Sequence, residues 1–295
     1  MTALDVVIMA AGKGTRMKSS MPKVLHPLAG KPLVQHVIDT AHALHTRHTI
    51  LITGHGAEIV EPLLQKAYPQ KTLQFAKQMP QLGTGHAVQQ ALPLLDDDGV
   101  VVVLSGDVPL TQADTLQALI KACDGKNLAL LTIDFEDPTG YGRIVRGFDH
   151  QVHDIIEHKD ANELQLEIKE IYSGIMAVPA KWLKKWLPQL KNDNAQKEFY
   201  LTDVVRMAVS DHVKVVAHKI TDAAQVAGIN SPLQLAELER IYQTRQAHAL
   251  LAQGVRIIDP ARIDLRGTLT CQEDVLIDIN CIFRSEEHTS ELQSH

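Results

Sequence analysis

Residues 4–17 constrain the fold of this chain more than any other stretch. Leu4-Asp5-Val6-Val7-Ile8-Met9 is apolar and rich in β-branched residues, and it stops abruptly at Ala10-Ala11-Gly12-Lys13-Gly14-Thr15-Arg16-Met17. Such a run reads as a buried strand, and the small-residue segment after it predicts a turn that cradles anionic oxygens on exposed backbone N–H groups. Gly12 and Gly14 let the backbone approach a ligand closely, and Arg16 and Lys23 bring full positive charge beside it. The loop is not G-x-G-x-x-G, because position 17 is Met, nor is it G-x-x-x-x-G-K-[ST].

Bulk properties narrow the class. A chain of 295 residues holds one large α/β domain plus a smaller element. Its formal net charge is −6 with no basic stripe, which excludes a nucleic-acid footprint. The N-terminus lacks the pattern of a secretory leader, and the longest aliphatic run, 100–104, is too short for a bilayer span. No membrane insertion is therefore expected. Cys123, Cys271 and Cys281 are odd in number and lack zinc spacing, so a cytoplasmic location is expected. The 15 histidines are scattered and are expected mostly at the surface.

Along the chain, strand-like runs at 6–10, 49–53, 73–76, 100–105 and 128–133 alternate with helical patterns at 33–44, 57–67, 85–94 and 112–123. That alternation predicts a mostly parallel sheet covered on both faces, with ligands at the carboxyl ends of its strands. Residues 139–178 change character and predict shorter antiparallel strands in a lobe over the substrate. Helical patterning resumes at 182–190 and 202–210, and a last strand is expected at 213–218. Ser231, Pro232 and Gln234 predict a capped helix start, with Leu235, Leu238, Ile241, Tyr242 and Ala249 as its apolar face and Gly254 as its end. Beyond it, Ile257, Ile263, Leu269, Val275 and Cys281 recur at six-residue intervals, the pattern of hexapeptide β-helix repeats. The pattern stops at the polar segment 284–295, read as a foreign, disordered tail or as a genuine polar cap.

The segment 10–17, then Pro22-Lys23-Val24-Leu25-His26 and Leu28-Ala29-Gly30-Lys31-Pro32, resembles the sugar-nucleotide pyrophosphorylases. Among them it is most similar to the bacterial bifunctional N-acetylglucosamine-1-phosphate uridyltransferases, and the resemblance runs from about residue 4 to residue 283. It implies a Rossmann-like α/β nucleotidyltransferase domain with a mixed sheet (1–230), a linker helix (231–253) and the start of a left-handed parallel β-helix (254–283). The implied reaction joins UTP and N-acetylglucosamine 1-phosphate, with Mg²⁺, to give UDP-N-acetylglucosamine and pyrophosphate. The family's second activity, acetyl transfer to glucosamine 1-phosphate, uses later coils and a homotrimer, so it is expected to be absent here and trimerisation to be weak.

Carried over by position, the resemblance assigns Arg16 and Lys23 to catalysis and Asp107 and Asn230 to the metal. It assigns Met9, Ala10, Ala11, Gly12, Gly14, Lys23, Gln78, Gly83, Thr84, Ser105, Gly106, Asp107, Gly142, Glu157, Tyr172 and Asn230 to substrate, with 78–84 reading the uracil. Plainer readings stand beside several of these. Asp107 equally suits a turn before Pro109, Thr84 a helix cap, and Asn230 a residue preceding a helix. In 198–203, Thr202 or Asp203 equally suits the cap of the next helix. The chain departs from the family at Ser105, where Tyr is usual, and at Tyr172, where Asn is usual. Two rivals remain: a pyrophosphorylase for another sugar or nucleotide, and a non-catalytic assembly subunit.

Overall fold

The computed structural model describes residues 3–70 and 73–284. The strands are β1 (Leu4–Met9), the two-residue β2 (Pro27–Leu28) and β3 (Lys31–Pro32), β4 (His48–Thr53), β5 (Leu73–Lys77) and β6 (Val100–Ser105). They continue with β7 (Leu128–Asp134), β8 (Arg143–Arg146), β9 (Val152–Ile156), β10 (Glu170–Pro179) and β11 (Val215–Lys219). The helices are α1 (Leu33–Ala43), α2 (Ala57–Ala67), α3 (Thr84–Gln89), α4 (Ala113–Cys123), α5 (Glu163–Leu166), α6 (Ala180–Trp186), α7 (Asp203–Ser210) and α8 (Pro232–Ala252).

One sheet runs in the order β11-β7-β10-β6-β1-β4-β5, with the β8–β9 hairpin attached to β10. β1 lies between β6 and β4 and is parallel to both, with Met9 opposite Ser105 and Ile52. Val6, Val7 and Ile8 have no exposed surface, as the unbroken apolar run requires of a strand covered on both faces. One face packs on α3, α6 and α7 and the other on α1, α2 and α4.

The sheet is mixed because β10 runs antiparallel between β6 and β7. This corrects the expectation that 139–178 forms a separate lobe. Only β8, β9 and α5 belong to such an extension, and 170–179 is a ten-residue strand in the middle of the sheet. Its pattern was hidden by a bulge: the register with β7 shifts between Tyr172 and Met176, and Gly174 has φ 87°. A bulge of this kind breaks the two-residue period that marks a strand. The helix expected at 85–94 ends at Gln89 and gives way to a short 3₁₀ turn, Leu92–Leu94, at Pro93.

α8 docks through Leu238 on Met17, Leu28, Leu33 and Ile229, so it buttresses the loop that follows β1. Ser231 caps the helix, accepting from Gln234 N at 3.3 Å, but Gln234 Oε1 accepts from Asn230 N rather than closing the box on Ser231. Ile241 and Ala249 are exposed, against expectation; the buried positions are Leu238, Gln243, Ala247 and Leu250. Gln243 displaces them because its amide pairs with both backbone groups of Leu265, Nε2 to O at 2.9 Å and N to Oε1 at 2.7 Å. His36 is likewise buried, bonded to Leu28 O at 2.9 Å.

After α8, β12 (Arg256–Ile257) pairs in parallel with β14 (Leu276–Ile277), and β13 (Ile263–Arg266) with β15 (Cys281–Arg284). Ile263 faces Cys281, eighteen residues on. Ile257, Ile263, Leu269 and Cys281 share one apolar cluster, whereas Val275 of the six-residue series is exposed and Ile277 is buried in its stead. Arg284 closes β15; the rest of the polar tail read at 284–295 lies outside the described residues. Among the described residues no helix is long and apolar enough to cross a membrane.

Replacing Gln243 by Met keeps the volume but strands both backbone groups of Leu265 in an apolar setting. The expected loss is about 2–3 kcal/mol of unfolding free energy, read as a lower urea midpoint; an unchanged midpoint would contradict the assigned pairing.

Candidate active site

The strand order sets the site. β1, β4 and β6 deliver their carboxyl ends side by side, and the chain leaves β1 tied to both neighbours by Ala10 N to Ile52 O at 2.8 Å and Gly106 N to Met9 O at 2.9 Å. A cavity of about 270 Å³ opens there. Of the residues expected at substrate, Met9, Ala10, Ala11, Gly12, Lys23, Gln78, Gly83, Thr84, Ser105 and Asp107 line it. Gln81 and Glu198 line it too and were not anticipated as substrate contacts. A Cβ on Gly54 would fall 2.9 Å from both Ala11 Cβ and Gln81 Nε2, so this glycine is what lets the β1 loop and the Gln81 segment close up.

Gly14 and Gly106 do not line the cavity; they make room for what does. Gly14 sits at φ 61°, and a Cβ on it would come within 2.6 Å of Lys23 Cβ. Lys23 reaches across to Asp107 Oδ2 in an ion pair and donates to Asn230 Oδ1 at 3.1 Å. Asp107 Oδ1 accepts from the Ser105 hydroxyl at 2.6 Å. Asp107 and Asn230 thus already face a cation, the ammonium itself, and one carboxylate and one amide oxygen are donors that suit Mg²⁺. Among the described residues no group of three His, Cys, Asp or Glu side chains stands ready for a metal. Arg16 lies apart from both: it is exposed on the 3₁₀ turn Thr15–Met17, outside the cavity lining.

Gln78 is buried and its Nε2 donates to Gly83 O at 2.9 Å and lies 3.3 Å from His86 Nδ1. Its amide hydrogens are thereby engaged, and Oε1 is the atom left to accept. Gly83 holds φ 108°, a region closed to side chains, and a Cβ there would strike Phe199 O at 2.6 Å. Thr84 does not cap α3; its hydroxyl accepts from Leu201 N at 3.1 Å. The two segments of this wall, 83–85 and 199–201, are also joined by Gly85 N to Phe199 O at 2.8 Å.

A second cavity, about 170 Å³, shares Met9 and Thr84 with the first and is lined by Gly142, Glu157 and Tyr172. Glu157 accepts from the Thr202 hydroxyl at 2.9 Å, so Thr202 serves the cavity rather than capping α7. Burial, reinforced by Asp160, Asp203 and Glu198 and opposed by Thr202, raises the Glu157 pKa. The Tyr172 hydroxyl is buried without a hydrogen-bond partner, and burial plus the Glu157 charge hold its pKa well above the ordinary phenol value. Arg143, buried at the base of this wall, donates to Tyr141 O and sits 3.3 Å from His158 Nδ1, linking the segments that carry Gly142 and Glu157. A larger cavity of about 550 Å³ behind Glu157, between β9, α6 and α7, contains no other predicted site residue.

Because its folded-state pKa is raised, Glu157 destabilises the fold wherever it is ionised. That cost is absent below about pH 4, where the carboxyl is protonated folded and unfolded alike, and grows as pH rises through the raised value. Glu157→Gln is therefore expected to match the wild-type Tm at low pH, where the carboxyl is protonated in both states, and to exceed it at about pH 8. A lower Tm for the variant at the higher pH would contradict the assignment.

The MobA-like NTP transferase domain matches residues 6–256. The chain is 63% identical over 286 residues to "Bifunctional protein GlmU" of Polaromonas naphthalenivorans (strain CJ2), covering 95% of this chain and 60% of that protein. The protein of the same name from Paracidovorax citrulli (strain AAC00-1) is 62% identical over 291 residues, covering 96% and 61%. The chain thus spans about three-fifths of the length of these curated relatives. In fold it is similar to a UDP-glucose pyrophosphorylase solved with UDP-glucose, with a TM-score of 0.67 at 17% identity over 82% of this chain and 99% of that one.

Proposed function

We propose that this chain, which belongs to the MobA-like NTP transferase domain family, transfers a uridylyl group from UTP to N-acetylglucosamine 1-phosphate and releases pyrophosphate. The observation that carries the reading is the pair of cavities meeting at Met9 and Thr84, with Lys23 and Asp107 on the nucleotide side of the junction. A nucleoside triphosphate in the larger cavity and a sugar phosphate in the smaller would bring their phosphates together at that junction.

The sugar phosphate oxygen is already a competent nucleophile, so the protein's task is to align it and neutralise charge. Backbone groups of Ala11 and Gly12 approach the triphosphate, and Lys23 offsets the charge that develops on the α-phosphate and the leaving pyrophosphate. Arg16, exposed beside the loop, would join the pyrophosphate only by swinging inward. Asp107 and Asn230 would hold Mg²⁺, whose chemistry at this place would be to neutralise phosphate charge.

Base and sugar choice follow from which groups are left unpaired. Gln78 Oε1 accepts from the N–H of a uracil, whereas cytosine presents an acceptor at the same edge. In the sugar cavity, Glu157 offers an acceptor and the unpartnered Tyr172 hydroxyl a donor, and a 2-acetamido group has the N–H and C=O to match both. Tyr172 thus takes over the contact usually made by Asn. The free cysteines Cys123, Cys271 and Cys281 fit a reducing cytoplasm.

We divide the chain at 230 and 253, as the long helix suggests, and read the eighteen-residue parallel pairing after it as the first turn of a left-handed β-helix, three hexapeptides per coil. Homotrimerisation and acetyl transfer would require further coils of the β-helix.

The test is pyrophosphate release from UTP with Mg²⁺, comparing N-acetylglucosamine 1-phosphate with glucosamine 1-phosphate and glucose 1-phosphate. Release dependent on the acetylated sugar is expected; equal rates with all three, or none from folded protein, would overturn the reading. Lys23→Ala is expected to lower kcat by about two orders of magnitude or more. Tyr172→Phe is expected to raise KM for the acetylated sugar phosphate by about tenfold while leaving KM for UTP unchanged.

A further inference from the structure

We infer that Lys23 is the resident counterion of the cation seat formed by Asp107 and Asn230, and that a divalent metal entering the seat displaces the ammonium toward the nucleotide phosphates. This rests on the reading of Asp107 and Asn230 as metal ligands. The oxygens that seat would offer, Asp107 Oδ2 and Asn230 Oδ1, are the two that Lys23 Nζ engages. Asp107 Oδ1 already accepts from the Ser105 hydroxyl. An ammonium and a metal ion cannot share these two oxygens at bonding distance, so occupancy by one excludes the other.

The pairing is built into the fold. Lys23 opens the 3₁₀ turn Lys23–Leu25, and the missing Cβ of Gly14 lets its stem lie against the β1 loop. The Lys23 and Asp107 side chains are only 14% and 13% exposed, so water screens the pair weakly. A single carboxylate with one amide is a weak site for a hard cation, and an ammonium cancelling its charge weakens it further. Lys23 also lines the nucleotide cavity, so a triphosphate that arrives with its own metal supplies both partners of the exchange: the metal takes Asp107 and Asn230, and Lys23 takes a phosphate. The free protein accordingly holds little metal, and metal and nucleotide enter together.

The test titrates Mn²⁺ into the nucleotide-free chain and follows the spin-resonance signal of the unbound ion. It compares wild type, Lys23→Met and the double variant Lys23→Met/Asp107→Asn. Lys23→Met is expected to bind Mn²⁺ about tenfold more tightly than wild type or better, and the double variant to lose that gain. Equal affinity of wild type and Lys23→Met would overturn the exchange while leaving the seat intact. Absence of Mn²⁺ binding by folded Lys23→Met would overturn the seat itself, and the exchange with it. A second measurement needs no variant: acylation of Lys23, followed by mass spectrometry on the wild-type chain, should speed up several-fold once Mn²⁺ is raised to a concentration that fills the weak seat. An unchanged rate would overturn the exchange.

Discussion

The site depends on one ion pair. Lys23 and Asp107 are 84 residues apart in sequence, and Lys23 and Asn230 are 207 apart, yet the three side chains meet. They join the loop after β1, the end of β6 and the residue before α8. Ile229 N donates to Asp107 O at 2.9 Å, so backbone as well as side chains ties the last of these segments to the second. Removing either charge would leave the other half-buried and unpaired, a far larger penalty than loss of a surface ion pair. Cation chemistry and the docking of α8 are therefore served by the same contact.

The antiparallel strand β10 makes the second half of the site. It brings Tyr172 to the cavity that Glu157 lines from the loop after β9, and it does so at the cost of a bulge. This wall is tuned for a ligand rather than for stability: a carboxylate is buried beside other acids, and a buried hydroxyl is left without a partner. Unsatisfied groups of this kind in a cleft are the usual mark of a binding surface, because a ligand completes them.

The parts of the fold legible from sequence were those set by local pattern. The unbroken run 4–9 and the small residues after it announce a central strand and its loop, and the alternation through residue 133 announces the helices that cover the sheet. What stayed hidden was decided at long range. Gly174 breaks the period of β10, so its apolar residues did not read as a sheet-centre strand. Thr84 and Thr202 sit where helix caps belong, but their hydroxyls are taken by Leu201 N and Glu157, contacts no spacing rule encodes. Gln243 is polar and was passed over for Ile241, although its amide matches a strand backbone better than any apolar side chain. Gly54 and Gln81 carry no motif, and only the closeness of their segments to the β1 loop reveals them. Most of the residues named by the resemblance line two adjoining cavities, whereas Gly14, Arg16, Gly106 and Asn230 stand outside their linings.

In the proposed reaction the sugar phosphate attacks the nucleotide directly, with the chain supplying alignment and charge but no covalent intermediate. The side chain that would serve a covalent route is Ser105, which lines the larger of the two adjoining cavities and whose hydroxyl donates to Asp107 at 2.6 Å. The decisive measurement is the configuration at phosphorus after turnover of a UTP analogue with one α-phosphate oxygen replaced by sulfur. Inversion is expected, the outcome of a single in-line displacement. Retention would contradict it, since two successive displacements through a uridylylated side chain restore the starting configuration.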